Sequence, residues 1–390
     1  MISTLLSRLR IWDGEHPHTG DAILVQGERI AAVGSSDELS ADTTVDCSGL
    51  TALPGLIDAH VHMELNPDDR LPPAQTDLSV AAKARMRERA EAMLEAGITT
   101  ARDLGGGAWL ELTLRDAITA GEVAGPRLLC AGQPITCPSG HCHFWGGEAA
   151  DTAQADAVIE RQLDKGVDLI KVMATGGQLT KGSDPGAAQF DLATLTHIVQ
   201  RAAAHDKLVA AHCHGTQGIH FAAAAGVSTI EHCSWAGKAG WAADYRPETA
   251  ALIAERGTWI SPTVNRGWQR YLEGRNQQMR ERIQGNFAAM RAKEIPFIAS
   301  TDAGIPGVYH HHLPLALPVF AQIAGLSAEA VLRSATSQAA LAIGLHSVTG
   351  RIENGLSADL LLVQGNPLID LSALADPAQV WFRGRPVKSI

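Results

Sequence analysis

The sequence predicts an α/β fold: a (β/α)8 TIM barrel with a small β-sandwich built from both chain ends. Three observations carry this. Short apolar strands alternate with longer stretches of helical spacing through the middle of the chain. The two ends share a different pattern of short alternating strands and turns. Metal-binding and titratable residues cluster toward the C-terminal ends of the predicted barrel strands, where barrel sites are built.

The first fifty residues read as strands with turns, in "LLSRLRIWDG", "DAILVQGERIAAVG" and "TTVDCSG". The last forty resemble them, in "GRIENGLSADLLLVQG" and "AQVWFRGRPVK". Neither end has a long helical period, so the two are expected to pair. Eight barrel strands are predicted at 55–63, 99–105, 127–135, 169–177, 208–215, 228–234, 258–264 and 296–304. Helical spacing fills segments such as 77–96 and 191–206. The span is close to the ~250 residues usual for such a barrel. The expected division is 1–54 and 346–390 for the two parts of the sandwich, with the barrel at 55–345. A doubly wound open sheet would want a Gly-rich phosphate turn after its first strand, and "HVHMELNP" is not one.

Composition narrows the function. The chain has 390 residues, 45% hydrophobic and 19% charged, which suits a globular enzyme with a sizeable core. Its formal net charge is −10 with no Lys/Arg block, which disfavours nucleic acid and anionic membrane as partners. No apolar run is long enough to span a bilayer. The opening "MISTLLSRLRIWDG" has charges inside its apolar part and does not read as a secretion signal. Six cysteines show no paired framework, so free thiols and a cytoplasmic location are expected. "CPSGHCHF" suggests a zinc knuckle, but a second C-x-x-C pair is missing, and a functional loop is the preferred reading.

"DLIKVMATGG" (168–177) places Lys171 inside an apolar strand, where lysine is rarely buried without a partner. His60 and His62, two apart, face the same way on strand one. His212, His232 and Asp302 fall on strands five, six and eight. For any single histidine, a core residue bonded to backbone is the ordinary reading. A set that also holds a lysine and an aspartate is hard to explain as packing. Imidazole and carboxylate suit zinc and its neighbours. Beside two divalent cations the lysine amine is favoured in its neutral form. As a neutral amine it can add carbon dioxide and become a carbamate, whose two oxygens bridge two metals.

The motifs "GLIDAHVH", "LIKVMATGG", "AAHCHG", "IEHC", "STDAG" and "GLSADLLLV" resemble the amidohydrolase superfamily, from about Gly55 to Val363. The likeness is in particular to its binuclear, carbamylated-lysine branch and to the prolidase-like and imidazolonepropionase-like members. The resemblance implies two divalent ions, with zinc expected. His60, His62 and Asp302 would hold one, His212 and His232 the other, and Lys171 as N6-carboxylysine would bridge them. His214 is expected to support these ligands. "SGHCHFWGGEA" resembles the family loop after strand three, and His141 matches its substrate-contacting histidine. Ser139 and Cys142 stand where the family has glycines, and His143 is added.

The expected reaction is hydrolysis of an amide C–N bond by a metal-bridging hydroxide. Asp302 moves the proton and His141 supports the oxyanion. The rivals are a urea, carbamate or lactone hydrolase of the same fold, and a non-catalytic scaffold, which should lack ligands. The expected partner is a small-molecule substrate, and a homo-oligomer is expected. Large aromatics follow the barrel strands: Trp145, Trp235, Trp241, Trp268 and Tyr309. They suggest a largely apolar pocket. His143, Trp145, Trp235, Arg266 and Tyr309, together with His141, are the expected substrate contacts. Arg266 or Arg270 would pair with a substrate carboxylate, and His310, His311 and His312 are either further contacts or a surface loop. A hydrophobic dipeptide, an N-acyl amino acid or an ochratoxin-like aryl amide fits these features.

Overall fold

The computed structural model describes residues 2–70 and 78–388. Residue 77, the first of the predicted helical segment 77–96, and the extreme chain ends lie outside the described residues.

Seven of the eight predicted central strands form, six of them shorter than expected and Thr229–Ala236 one residue longer. They are β1 (Leu56–Val61), β2 (Ile98–Asp103), β3 (Arg127–Cys130), β4 (Ile170–Met173), β5 (Val209–Gly215), β6 (Thr229–Ala236) and β7 (Trp259–Ser261). Every residue of β1, β2 and β4 is buried, as expected of parallel strands covered on both faces. They form two parallel ladders, one in the order β3-β2-β1 and the other β4-β5-β6-β7.

Segment 296–304 departs from the prediction. It forms no ladder and pairs only through single parallel bridges, Phe297 with Ile260 of β7 and Ala303 with Val61 of β1. The segment still bonds backbone to backbone with β1, through the Ala59 amide to the Ala299 carbonyl and the Asp302 amide to the His60 carbonyl, but left-handed backbone at Asp302 (φ 62°) interrupts a regular ladder. Ile135, just after β3, makes a comparable bridge to Val172 of β4.

Helices pack outside the strands. Helix Leu192–Ala203 starts where Asp191 accepts from the Thr194 amide, a side-chain N-cap. It buries Leu195, Ile198 and Ala202, spaced to share one face. Helix Thr152–Asp164 repeats the device with Asp151 and Gln154. Ile159, Ile198, Ile219 and Ile253 join Val172, Ala211 and Ile230 in one large core. Each such aliphatic side chain contributes about 1.5–3 kcal/mol on burial, before the cost of ordering the chain.

The chain ends do pair. A six-stranded sheet takes three strands from each end, and its centre is Leu360–Gln364 antiparallel to Leu50–Pro54, with Leu362 opposite Ala52. A four-stranded sheet is built from the first 46 residues alone. Leu6, Ile23 and Ile30 from it share a core with Ala52, Leu360 and Leu362 from the other. Among the described residues, no helix is long and apolar enough to cross a membrane.

One buried carboxylate ties the end sheets to the central strands. Asp359 receives the Arg127 guanidinium at 2.8 Å, the Thr349 and Ser357 hydroxyls at 2.9 and 2.8 Å, and the Arg383 amide at 3.0 Å. Removing one partner of such a pair leaves an uncompensated charge. Asp359→Ala is expected to lower the unfolding free energy by about 3 kcal/mol, read from the urea midpoint. An unchanged midpoint would show that Arg127 is satisfied without it.

Candidate active site

The ends of the central strands bring six of the predicted side chains to one cavity of about 500 Å³, lined by His60, His62, Lys171, His212, His232 and Asp302. His60 and His62 come from β1 and its end, Lys171 from β4, His212 from β5 and His232 from β6. Asp302 has φ 62°, His232 66° and Thr263 54°. Left-handed backbone at non-glycine residues is strained, and it concentrates here. The backbone bends sharply to turn these side chains inward.

The histidine tautomers follow from their partners. His60 Nδ1 lies 2.9 Å from a Glu231 carboxylate oxygen, and His62 Nδ1 lies 2.7 Å from the Gly105 carbonyl. Both partners can only accept, so each Nδ1 carries the proton and each Nε2 a lone pair. The two Nε2 atoms face each other at 3.3 Å, and Asp302 Oδ1 lies 3.4 Å from both. Three acceptors therefore converge with no donor between them. That arrangement repels itself unless a cation sits among them, so the donor set fits a divalent metal. His212 Nε2 donates to the Gly176 carbonyl at 3.0 Å, leaving Nδ1 as the free donor atom. Ring nitrogens of His212, His214 and His232 form a second group close enough to share one ion. His214, expected only as a supporting residue, thus lines the cavity itself.

Lys171 is 1% exposed. Among the described residues its amine has no hydrogen-bond or ion-pair partner. Burial lowers its pKa to about 8, against the upward pull of Glu231 and Asp302. A lysine on the wall of the cavity where these lone pairs converge fits a carbamate that would serve as a metal ligand. Burial and Lys171 lower the His60 pKa to about 4. Burial alone would raise the Asp302 carboxyl, but His60, His62 and Lys171 hold it below the usual range, so it is ionised.

His141 is buried at the cavity wall, and burial lowers its pKa to about 4, so the ring is neutral. The Thr180 hydroxyl accepts from the Cys142 amide at 2.8 Å and lies 3.2 Å from His141 Nδ1. In the tautomer in which Thr180 donates to Nδ1, His141 Nε2 carries a hydrogen and can donate it. Gly177 makes room: a Cβ there would lie 2.4 Å from His141 Nε2.

The expected substrate contacts divide. Trp145, Trp235, Trp241, Trp268 and Arg270 line the cavity, and His143, Arg266 and Tyr309 do not. The His143 ring turns to the Gly140 carbonyl at 3.0 Å. Tyr309 is 36% exposed and donates to Asp68 at 2.7 Å. His310, His311 and His312 lie outside the lining too; His310 is buried and donates to the His62 carbonyl at 3.1 Å.

The residues that sequence reasoning missed lie beneath the site. Glu231 is fully buried and bridges His60 to the Arg102 guanidinium, the latter at 2.8 Å. Arg102 also donates to the Ala59 carbonyl at 2.7 Å and the Thr229 hydroxyl at 3.1 Å. Burial would raise the Glu231 carboxyl, but Arg102 and His60 hold it well below the usual range. The available signals were Arg102 in "TTARD" and Glu231 in "TIEHC", charges inside strands otherwise apolar.

The model of the amidohydrolase family matches residues 51–388. An ochratoxinase from Aspergillus niger is 26% identical over 425 aligned residues, covering 96% of this chain and 84% of that protein. An imidazolonepropionase from Acidiphilium cryptum is 27% identical over 403, covering 93% and 92%. The crystal structure of a Xaa-Pro dipeptidase with bound methionine in the active site superposes with a TM-score of 0.83 at 26% identity, covering 98% and 99%.

Because Glu231 fixes the His60 tautomer, Glu231→Gln is expected to weaken divalent-metal binding ~10–100-fold, the usual effect of losing such a partner. Competition with a chromophoric chelator on folded protein checks this. Unaltered affinity would assign the orientation of His60 to another group.

Proposed function

Because the chain belongs to the amidohydrolase family, hydrolases of carbon–nitrogen bonds, we propose that it cleaves an amide joining a bulky apolar acyl group to an amino acid that carries a free carboxylate. The observation that carries this reading is the convergence of His60, His62 and Asp302 on a cavity that Lys171 also lines. His60, His62 and Asp302 hold one divalent ion, and His212 and His232 hold a second, with His214 beside them. Lys171, as a carbamate formed when its neutral amine adds carbon dioxide and loses a proton, would be a ligand to both. Zinc is our choice for both ions.

When bound, the ions supply Lewis acidity toward the scissile carbonyl and bring the pKa of water toward ~7. The chain's own groups do the rest. Asp302, ionised and facing the cavity, accepts the proton of the attacking water and delivers it to the leaving nitrogen. His141 donates from Nε2 to the oxygen that gains negative charge. Trp145, Trp235, Trp268 and Phe287 supply an apolar wall for the acyl group. Arg270 is the one guanidinium lining the cavity among the described residues, and it stacks 4.8 Å over the Tyr271 ring. We assign it the substrate carboxylate, which it can grip with two parallel hydrogen bonds. The substrates named for the ochratoxinase and dipeptidase relatives suit this reading.

The architecture we assign is a closed β/α barrel at 55–345. The single bridges between the ladders, and between segment 296–304 and both β7 and β1, support it. The end sheets that share a core support a β-sandwich from 1–54 and 346–390. Six free cysteines suit a reducing, cytoplasmic setting. We also retain the expectation of a homo-oligomer.

Metal analysis of protein purified without chelator should find close to two equivalents per chain, and active enzyme with one or none would refute the binuclear assignment. Lys171→Ala should lose both metal and activity, with partial return on adding a short carboxylic acid; full activity without it would remove the carbamate. Asp302→Asn should keep the fold and lower turnover by ~100-fold or more. The substrate reading is tested by kcat/KM for an aryl-acyl phenylalanine against its carboxamide and against N-acetylglycine. Equal values would mean that neither Arg270 nor the apolar wall is used.

A further inference from the structure

A second, open cavity of about 1040 Å³ lies beside the first. Its lining includes Asp184, Thr216, His220, Asp244, Arg246 and Glu248, a surface of mixed charge. Among the described residues, Trp241 is the one residue that lines both cavities. Its ring stands edge-on to His214, 4.6 Å away at 88°. Its loop is held on both sides. Gly237 and Gly240 bridge each other, and the Asn286 side chain donates to the Ala242 carbonyl at 3.1 Å. These contacts hold the backbone on either side of Trp241, and the indole stands between the two cavities.

The geometry points to Trp241 as the residue that limits substrate length, with the cavity behind it as a blocked subsite for a longer acyl chain. This rests on the amide reading above. An amino acid with a free carboxylate ends the substrate on the leaving side, so only the acyl side can grow. A growing acyl chain is a peptide, with amide donors and acceptors along it. The side chains of Asp184, Asp244, Arg246 and Glu248 offer polar groups that such a chain can bond. With the indole in place that surface is out of reach of the scissile bond. Without it, the two cavities become one.

The test compares Leu-Phe with Ala-Ala-Ala-Leu-Phe, cleaved at the same final bond, by zinc-loaded wild type, Trp241→Ala and Trp241→Phe. The wild type should prefer the dipeptide by about 100-fold in kcat/KM, and Trp241→Ala should narrow that gap by about tenfold or more, within the range that pocket contacts supply. Trp241→Phe should fall between. Adding His220→Trp to Trp241→Ala refills the cavity and should restore part of the preference. Wild type that cleaves both peptides equally overturns the proposal without any variant, as does a Trp241→Ala enzyme with the wild-type ratio. A second measurement needs no turnover. Thermal stabilisation by leucine hydroxamate and by Ala-Ala-Ala-Leu hydroxamate should differ in the wild type, with the short probe stronger, and converge in Trp241→Ala. Equal stabilisation of the wild type by both probes overturns the partition. Absence of peptide cleavage with the expected probe pattern overturns the amide reading alone.

Discussion

Beneath the site, Arg102 and Glu231 form an ion pair out of reach of water, and the geometry above depends on it. Arg102 belongs to β2, Glu231 to β6, and their hydrogen bonds reach the Ala59 carbonyl and His60 ring of β1. Three strands are thereby fixed to one another at the level of the first histidine. Two charges buried this deeply are costly unless their hydrogen bonds are well met. Here Arg102 has three partners, and Glu231 accepts from Arg102, His60 and Thr229. Breaking the pair would leave a buried charge uncompensated, a loss of about 3–5 kcal/mol in typical cases. The pair therefore does more than hold strands together: it dictates which nitrogen of His60 keeps its proton, and hence which one faces the cavity.

The upper level shows the opposite economy. Lone pairs of His60, His62 and Asp302 are packed together, the Lys171 amine has no partner among the described residues, and His232 and Asp302 hold left-handed backbone. Left unpaired, lone pairs so close and strained backbone of this kind cost stability. They persist because the surrounding core is rigid and well packed, with β1, β2 and β4 wholly buried. A cation among the lone pairs, and a carbamate on Lys171, would turn those costs into coordination. This division between a satisfied lower layer and an unsatisfied upper layer distinguishes a site from a core.

The same logic shapes the pocket. Polar groups sit at the strand ends and on Asn265, Arg270 and Asn286, while Trp145, Trp235 and Trp268 supply broad apolar surface. His143 and Tyr309, by contrast, satisfy themselves locally, on the Gly140 carbonyl and on Asp68. A residue already bonded to its neighbour has little left for a substrate. His310 illustrates a third use, donating to the carbonyl of His62 from behind and bracing the backbone there.

What the sequence by itself determined was the alternation of strands and helices, the pairing of the two chain ends, and the placement of Lys171 and the histidines at strand ends. These follow from periodicities of two and 3.6 residues and from the rarity of unpaired lysine in apolar strands. Local pattern is enough for them, because each depends on residues close in the chain. Only the tertiary structure decided which arginine enters the cavity, why 296–304 bridges without a ladder, and that His214 joins His212 and His232. It alone brought Arg102 to Glu231, 129 positions apart in the chain. It alone set Trp241 between two cavities. Such matters depend on side-chain direction and on contacts between distant segments, and a strand pattern that repeats every two residues carries no record of which distant group a side chain will meet.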